Sequence, residues 1–360
     1  MLAMFLNSIA QENIVWQIGK KDNAGKEFAL YQKHYKDFVA RFGGENTVYN
    51  VGYSKDSTDW PYVMPGPLDG WGGGGYWAGF YPRHFPRVFF QLPQQPVDGK
   101  FQFVIGFADA NKKNAPAIQI DINGHRTQQQ LDAGTGASLT DSLASGKTQL
   151  VVVDVPANWL KKGINVIQLG SVSGSWSVFD YLQLRSDKPL KVAPAYSSLI
   201  ASAQAAPFEY NVTNKRIQPL LLDIYQLNAG SELNIAIEGL KPVTKKIESG
   251  HSILEVDMPA VPSSAKKINS HVVITSGSDV IYDGQVTRSP QPLHQYTDYV
   301  DLLIGTGNSR WMFKPGPSLP LSMVQIAPDN QDQTWKAGYE YTVDNIMGFS
   351  HFSDWTMCGL

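Results

Sequence analysis

The sequence predicts an all-β protein built from sandwiches. Helical periodicity is scarce along the chain. Short runs alternate apolar and polar residues, and Gly, Pro, Asn and Asp separate these runs at close intervals. The 360 residues leave room for two or three domains. With 42% hydrophobic and 17% charged residues, the chain can bury real cores.

Taken in order, Met1 to Ala10 closes on Ser-Ile-Ala before Gln11, a small-residue cleavage pattern. Residues 1–11 therefore read as the remnant of a secretory signal or as a disordered start, and the protein as secreted or periplasmic. A first block covers 12–187. It holds the one plausible helix, Gly25 to Arg41. Ile118, Ile120 and Ile122 alternate with Gln119 and Asp121, and Asn123-Gly124 supplies the positive φ angles of a tight hairpin turn. Gly19, Gly124 and Gly163 suit turns, Trp16 and Phe28 suit a core, and Asn165 suits pairing with backbone groups at a strand start. Residues 188–207, rich in Ala, Ser and Pro, read as a linker.

A second block, 208–287, reads as a small immunoglobulin-like sandwich. Leu233, Ile235 and Ile237 alternate, and Val272 to Thr275 and Val280 to Tyr282 flank a turn at Ser276-Gly-Ser-Asp279. It shows no His, Asp or Glu cluster with ligand spacing, so a spacer is the expected role. Residues 288–297 are polar and proline-containing, a second linker. The last block, 298–360, is too short to close a sandwich and reads as the incomplete start of one.

Net charge is −2 with no basic stripe, which argues against a nucleic-acid partner. No apolar run approaches the roughly 20 residues that span a bilayer. The single cysteine, Cys358, cannot make a disulfide or a cysteine-based zinc site within the chain.

Nine Trp, 16 Tyr and 16 Phe supply flat faces of the kind that stack on sugar C–H surfaces. They concentrate in Asp59 to Arg87, where Trp60, Trp71, Tyr76, Trp77, Arg83 and His84 are candidate carbohydrate contacts around a mobile loop of four glycines, Gly72–Gly75. Two readings stay open. The rings stack on pyranose faces, with Arg83 on uronate carboxylates, or they lie inside a packed loop. A phosphate cradle is not supported, since no Gly-Lys-Ser/Thr follows.

In the first block the order of several short motifs resembles the C-terminal domain of polysaccharide lyase family 4, the rhamnogalacturonan lyases. These are Ile14-Val-Trp-Gln-Ile-Gly19, Asp22, Glu27-Phe28, Ile122-Asn-Gly124, Gly134-Thr-Gly136, Pro156-Ala157, Leu160-Lys-Lys-Gly-Ile-Asn165, Gly174-Ser-Trp176 and Phe179-Asp-Tyr-Leu182. The resemblance implies a non-catalytic, galactose-binding-like jelly roll over 12–187. The lyase's own catalytic domain has no match.

In the last block, Ile304-Gly-Thr306, Pro320-Leu-Ser-Met-Val-Gln325, Trp335 with Gly338 and Tyr339, and Gly348-Phe-Ser-His351 resemble the opening of glycoside hydrolase family 92. Asn308-Ser-Arg-Trp311 departs from that family's Gly/His-rich stretch, and Leu-Ser departs from its Phe-Gly. The family comprises calcium-dependent, inverting exo-α-mannosidases. The resemblance implies that Trp335 stacks on the terminal sugar, that His351 hydrogen-bonds its hydroxyls and that Tyr339 lies nearby. For Tyr339 one face of a strand remains the other reading, and for His351 a satisfied core histidine. Inverting hydrolysis needs two carboxylates set apart around a water, and calcium needs six to eight oxygens. The family's catalytic carboxylates and calcium ligands lie beyond the matched opening, so no catalytic or metal residue is assigned here. The chain is expected to be inactive alone, with calcium and a C-terminal catalytic domain belonging to the full-length enzyme. The expected partner is carbohydrate, a terminal α-mannoside or a pectic polysaccharide. A stand-alone carbohydrate-binding protein and a rhamnogalacturonan lyase relative remain as alternatives.

Overall fold

The structure is a computed structural model. It describes residues 13–43, 47–75, 84–139, 146–213, 215–228, 230–304, 306, 315–316, 326–329, 339, 346 and 348–350. The chain divides into two compact units, Met1–Gly74 with Pro82–Leu293, and Gly75–Tyr81 with His294–Leu360.

The first unit opens with ten strands: β1 (Asn13–Gly19), β2 (Val48–Asn50), β3 (Val63–Met64), β4 (Arg87–Leu92), β5 (Lys100–Ala110), β6 (Ala117–Ile122), β7 (His125–Gln130), β8 (Gln149–Pro156), β9 (Gly163–Ser173) and β10 (Ser177–Ser186). They form two five-stranded sheets, ordered β1-β10-β5-β8 with β3 on the end of β10, and β2-β4-β9-β6-β7. This is the expected jelly roll. Trp16, Phe90, Phe103, Ile105, Ile118, Ile167 and Leu184 fill its core, together with Phe28. Ile118, Ile120 and Ile122 are fully buried while Gln119 and Asp121 are half-exposed, so the alternation maps directly onto the two faces of β6.

The β6–β7 turn carries φ of 51° at Asn123 and 90° at Gly124, the positive pair that a two-residue hairpin demands. Gly19 and Gly163 also have positive φ. Asn165 pairs with backbone as expected. Its Nδ2 donates to Lys161 O (2.9 Å) and Gly163 O (3.0 Å), and its Oδ1 accepts from Lys161 N (2.9 Å). Asn123 locks onto it, donating from Nδ2 to Asn165 Oδ1 (2.8 Å) and accepting Val166 N at 2.9 Å.

The helix expected over Gly25 to Arg41 is much shorter. A 3-10 turn spans Gln32–Asp37 and α1 spans Phe38–Phe42; α2 is a single turn, Asp56–Asp59. Gly25, Leu30 and Gln32 have φ of 60°, 62° and 53°, which no right-handed helix accommodates. Ala29 instead bridges Pro61 in parallel.

Nine strands follow: β11 (Ser198–Ala205), β12 (Tyr210–Val212), β13 (Lys215–Ile217), β14 (Leu220–Gln226), β15 (Ser231–Ile237), β16 (Val243–Ile247), β17 (Gly250–Val256), β18 (Ile268–Ser276) and β19 (Asp279–Arg288). A three-stranded sheet, β11-β14-β17, and a four-stranded sheet, β16-β15-β18-β19, enclose Leu220, Leu222, Ile224, Leu233, Ile235, Val272 and Ile274. Residues 198–205, placed in a linker by composition, are therefore a strand of this sandwich. The second linker is anchored as well. Glu209, 1% exposed, donates its N–H to Pro292 O (2.9 Å), accepts Gln291 N (2.9 Å) and meets Arg216 Nη2 at 2.7 Å.

In the second unit the described residues give a 3-10 turn at Tyr296–Tyr299 and one antiparallel ribbon, β20 (Ala327–Asp329) with β21 (Gly348–Ser350). Among the described residues no helix is long and apolar enough to cross a membrane.

Candidate carbohydrate-binding site

Among the described residues between β1 and β4, Phe38, Trp60 and His84 are buried and Trp71 is half-buried. Trp60 is fully buried, tilted against Phe179 at 5.4 Å and edge-on to Tyr49 at 6.1 Å. It is a core residue, and its expected role as a sugar contact does not hold. His84 is also buried. Its ring meets Phe38 at 4.8 Å, and Nε2 is bonded to Gly72 O. Trp71 is half-buried and meets Tyr35 edge-on at 4.9 Å and Phe38 at 6.3 Å. Its indole also bonds the Asp69 carboxylate, which burial pushes up in pKa and which bonds to Ser175, Gly66 N and Trp71 partly bring back. Tyr76, Trp77 and Arg83 lie outside the described residues.

The glycine run is set by close approach. A Cβ on Gly72 would sit 2.3 Å from Pro65 Cβ, and one on Gly74 would sit 2.6 Å from Pro67 O. The expected loop is thus packed against the Pro65 ring at Gly72 and the Pro67 carbonyl at Gly74.

These rings back the helical segment, and the segment carries an open groove. Leu30, Tyr31, Gln32, His34, Asp37, Ala40 and Arg41 line a concavity of about 780 Å³, within the ~300–1,000 Å³ of small-molecule sites. Tyr31 is half-buried and packs its edge on Tyr62 at 5.8 Å. It sits between the two left-handed residues Leu30 and Gln32. Backbone held in such regions concentrates at ligand clamps. The Tyr62 hydroxyl donates to Gln32 O at 2.7 Å and thereby pins this bend. Burial first, then Tyr35 and Tyr31, push the Tyr62 pKa up, so the hydroxyl keeps its proton. His34 Nδ1 lies 3.6 Å from Asp37 Oδ2 on the exposed rim. An aromatic side chain with an imidazole, a carboxylate and a guanidinium around it offers a sugar an apolar face, donors and acceptors.

The sequence pointed to the neighbouring segment because Trp-rich stretches signal rings without telling their facing. Tyr31 and His34 went unread because they fell inside the expected helix. Of the C-terminal candidates, Trp335 and His351 lie outside the described residues. Tyr339 is half-buried and outside any strand.

Near the end of β5, Asp109 gathers Gly134-Thr-Gly136. Its carboxylate accepts Thr135 N and Oγ (both 2.8 Å), Ser138 Oγ (2.8 Å) and N (3.3 Å), and Lys147 N (3.2 Å). Burial alone would raise its pKa, but the bonds from Thr135, Ser138 and Lys147 outweigh it and hold the group below its ordinary value.

Comparison with known families agrees with both resemblances. Residues 14–184 match polysaccharide lyase family 4, domain III, a carbohydrate-binding-module-like family, and residues 299–359 match the glycosyl hydrolase family 92 N-terminal domain. Similar solved structures include a family 35 carbohydrate-binding module from an environmental isolate (18% identity, 32% of this chain and 72% of that one, TM-score 0.23). A family 35 module from Clostridium thermocellum is also similar (20% identity, 29% and 70%, TM-score 0.20). So is a Ruminococcus gnavus beta-glucuronidase, at 10% identity and TM-score 0.20, where 57% of this chain covers 35% of the enzyme. No curated protein matches the sequence. The chain thus joins a carbohydrate-binding-like domain to a region of the family 92 N-terminal type, a combination that belongs to carbohydrate-active proteins.

Proposed function

We propose that these residues form the non-catalytic, glycan-binding part of a secreted or periplasmic exo-α-mannosidase of glycoside hydrolase family 92. The observation that carries this is the order of the two matches on one chain, a binding-type domain at 14–184 followed by a hydrolase opening at 299–359. The groove around Tyr31 holds the glycan near the enzyme, and Trp335 and His351 help wall the terminal mannoside. Calcium would belong to the hydrolase domain of the longer protein. Among the described residues no three His, Cys, Asp or Glu side chains come together to hold a metal, so none of them is assigned to calcium.

Two assays test the proposal. The 360-residue chain should not turn over aryl α-mannosides with calcium added; turnover that a chelator abolishes would overturn the non-catalytic assignment. In affinity electrophoresis the chain should be retarded by mannan. Tyr31→Ala should weaken retention by about 1 kcal/mol, roughly fivefold in Kd, with the fold intact. Retardation by rhamnogalacturonan and not by mannan would favour a pectic ligand, in keeping with the lyase-type match at 14–184.

A further inference from the structure

A second concavity lies within the first unit, where its two sandwiches meet. Tyr225 of β14 rests on Phe89 of β4 at 5.1 Å, and Val48 and Leu199 complete a small buried cluster between them. Asn50 Nδ2 donates to Tyr196 O (2.9 Å), Ala193 N to Gln91 O (2.8 Å) and Asn228 Nδ2 to the Tyr53 hydroxyl (3.2 Å). Beside this seam opens a cleft of about 410 Å³. Arg41, Thr58 and Asp59 come from the jelly roll, and Ser249 and His251 come from the second sandwich.

The chemistry of the walls is mixed. Arg41 gives one donor to Thr58 O at 3.1 Å, out of the five a guanidinium carries. Asp59 uses one carboxylate oxygen to accept Lys55 N at 2.8 Å. His251 holds Asp223 Oδ1 through Nε2 at 2.7 Å and stacks on Tyr225 at 4.5 Å and 19°. An anion would face the Asp59 carboxylate, and a cation would face Arg41. A neutral pyranose meets neither conflict. Each of its hydroxyls both donates and accepts, and its C–H face suits the apolar floor of Phe42 and Leu227.

We infer that the cleft between the two sandwiches is a second carbohydrate subsite that takes one uncharged pyranose residue. It rests on the reading that this protein binds glycan, and it gives the second sandwich a binding role instead of that of a spacer. Among the described residues, only Arg41 borders both the groove and the cleft.

The test is calorimetric titration of the whole chain with methyl α-mannoside, methyl β-galactoside, methyl α-rhamnoside and galacturonate. One of the neutral glycosides should saturate the chain. Ser249→Trp, at an exposed cleft position, should weaken that binding by about tenfold, the loss expected when hydrogen bonds to charged groups are blocked. Thr58→Trp on the facing wall should do the same, and it serves if the first variant does not fold. The inference is overturned if no neutral glycoside binds, if galacturonate binds more tightly, or if both cleft variants fold and bind as the parent does. Mannan retention that persists in the cleft variants but fails in Tyr31→Ala would sink the cleft and keep the groove. Loss of all glycan binding by the parent chain would sink both.

Discussion

Asp109 shows how much one side chain can organise. Five donors converge on a carboxylate that is itself fully buried, and they belong to a loop 26 to 38 residues further along. Asp109→Asn keeps the shape but turns a donor toward other donors. We expect it to destabilise the protein by about 3 kcal/mol in urea unfolding at pH 7. The pH dependence follows from the depressed pKa. The native state binds fewer protons than the unfolded chain, so this contribution is present above the ordinary carboxylate value of about 3.9 and is lost as pH falls through the lower native value. Asp69 and Asp180 run the other way, because burial, their leading cause, raises both. Their contribution is fullest below the ordinary value and declines as pH rises through the native one. The clean reading is therefore the difference between parent and Asp109→Asn, which should shrink on going from pH 7 to pH 3. An unchanged difference would show that the carboxylate's charge is irrelevant there. Asn165 and Asn123-Gly124 were legible in the sequence because their partners and dihedral demands are local. Asp109 was not, because its partners are remote. The rings were half legible: their number marks a packed aromatic region, but nothing in the sequence separates buried Trp60 from half-exposed Tyr31.

At the scale of elements, alternation proved a better guide than helical spacing. β6, β15 and the β18–β19 hairpin sit where Ile118–Ile122, Leu233–Ile237 and Ser276-Gly-Ser-Asp279 placed them. The helix over Gly25 to Arg41 gave way because periodicity carries no trace of left-handed backbone at Leu30 and Gln32. β11 has the composition of a linker because its Ser and Ala residues are small, although Leu199 and Ile200 reach two different clusters. The bend at Gln32 offers a direct check. A β-branched residue is strained at φ of 53°, whereas glycine is at ease there. Gln32→Val should be about 1–2 kcal/mol less stable than Gln32→Gly by thermal unfolding. Equal stability would mean that this bend is not left-handed in solution.

At the scale of the whole molecule, the described residues are uneven in how much apolar surface they hide. The first unit encloses two large cores. In the second, Leu302 and Ile304 are 73% and 75% exposed. Solvent-exposed apolar side chains on short elements mark weakly held chain. Limited proteolysis should therefore cut first beyond Leu293 and leave a fragment of about 13–293 intact, as read by mass spectrometry. Uniform resistance along the chain would contradict this. The binding-type match at 14–184 and the hydrolase-type match at 299–359 were legible because each carries ordered short motifs. The seam between the sandwiches was not, since Val48, Phe89, Leu199 and Tyr225 are spread over almost 180 residues and none stands out alone.

The clamp at Glu209 has a mechanical meaning. A glycan anchored to the first unit, with the chain pulled from its downstream end, puts tension on Leu293. The load does not reach β19 directly. It meets Glu209 first, through Pro292 O and Gln291 N, with Arg216 bracing the carboxylate from the side. These bonds must give way before β19 can be peeled from β18. Glu209 is thus a strain relief, as at the point where a cable enters its housing.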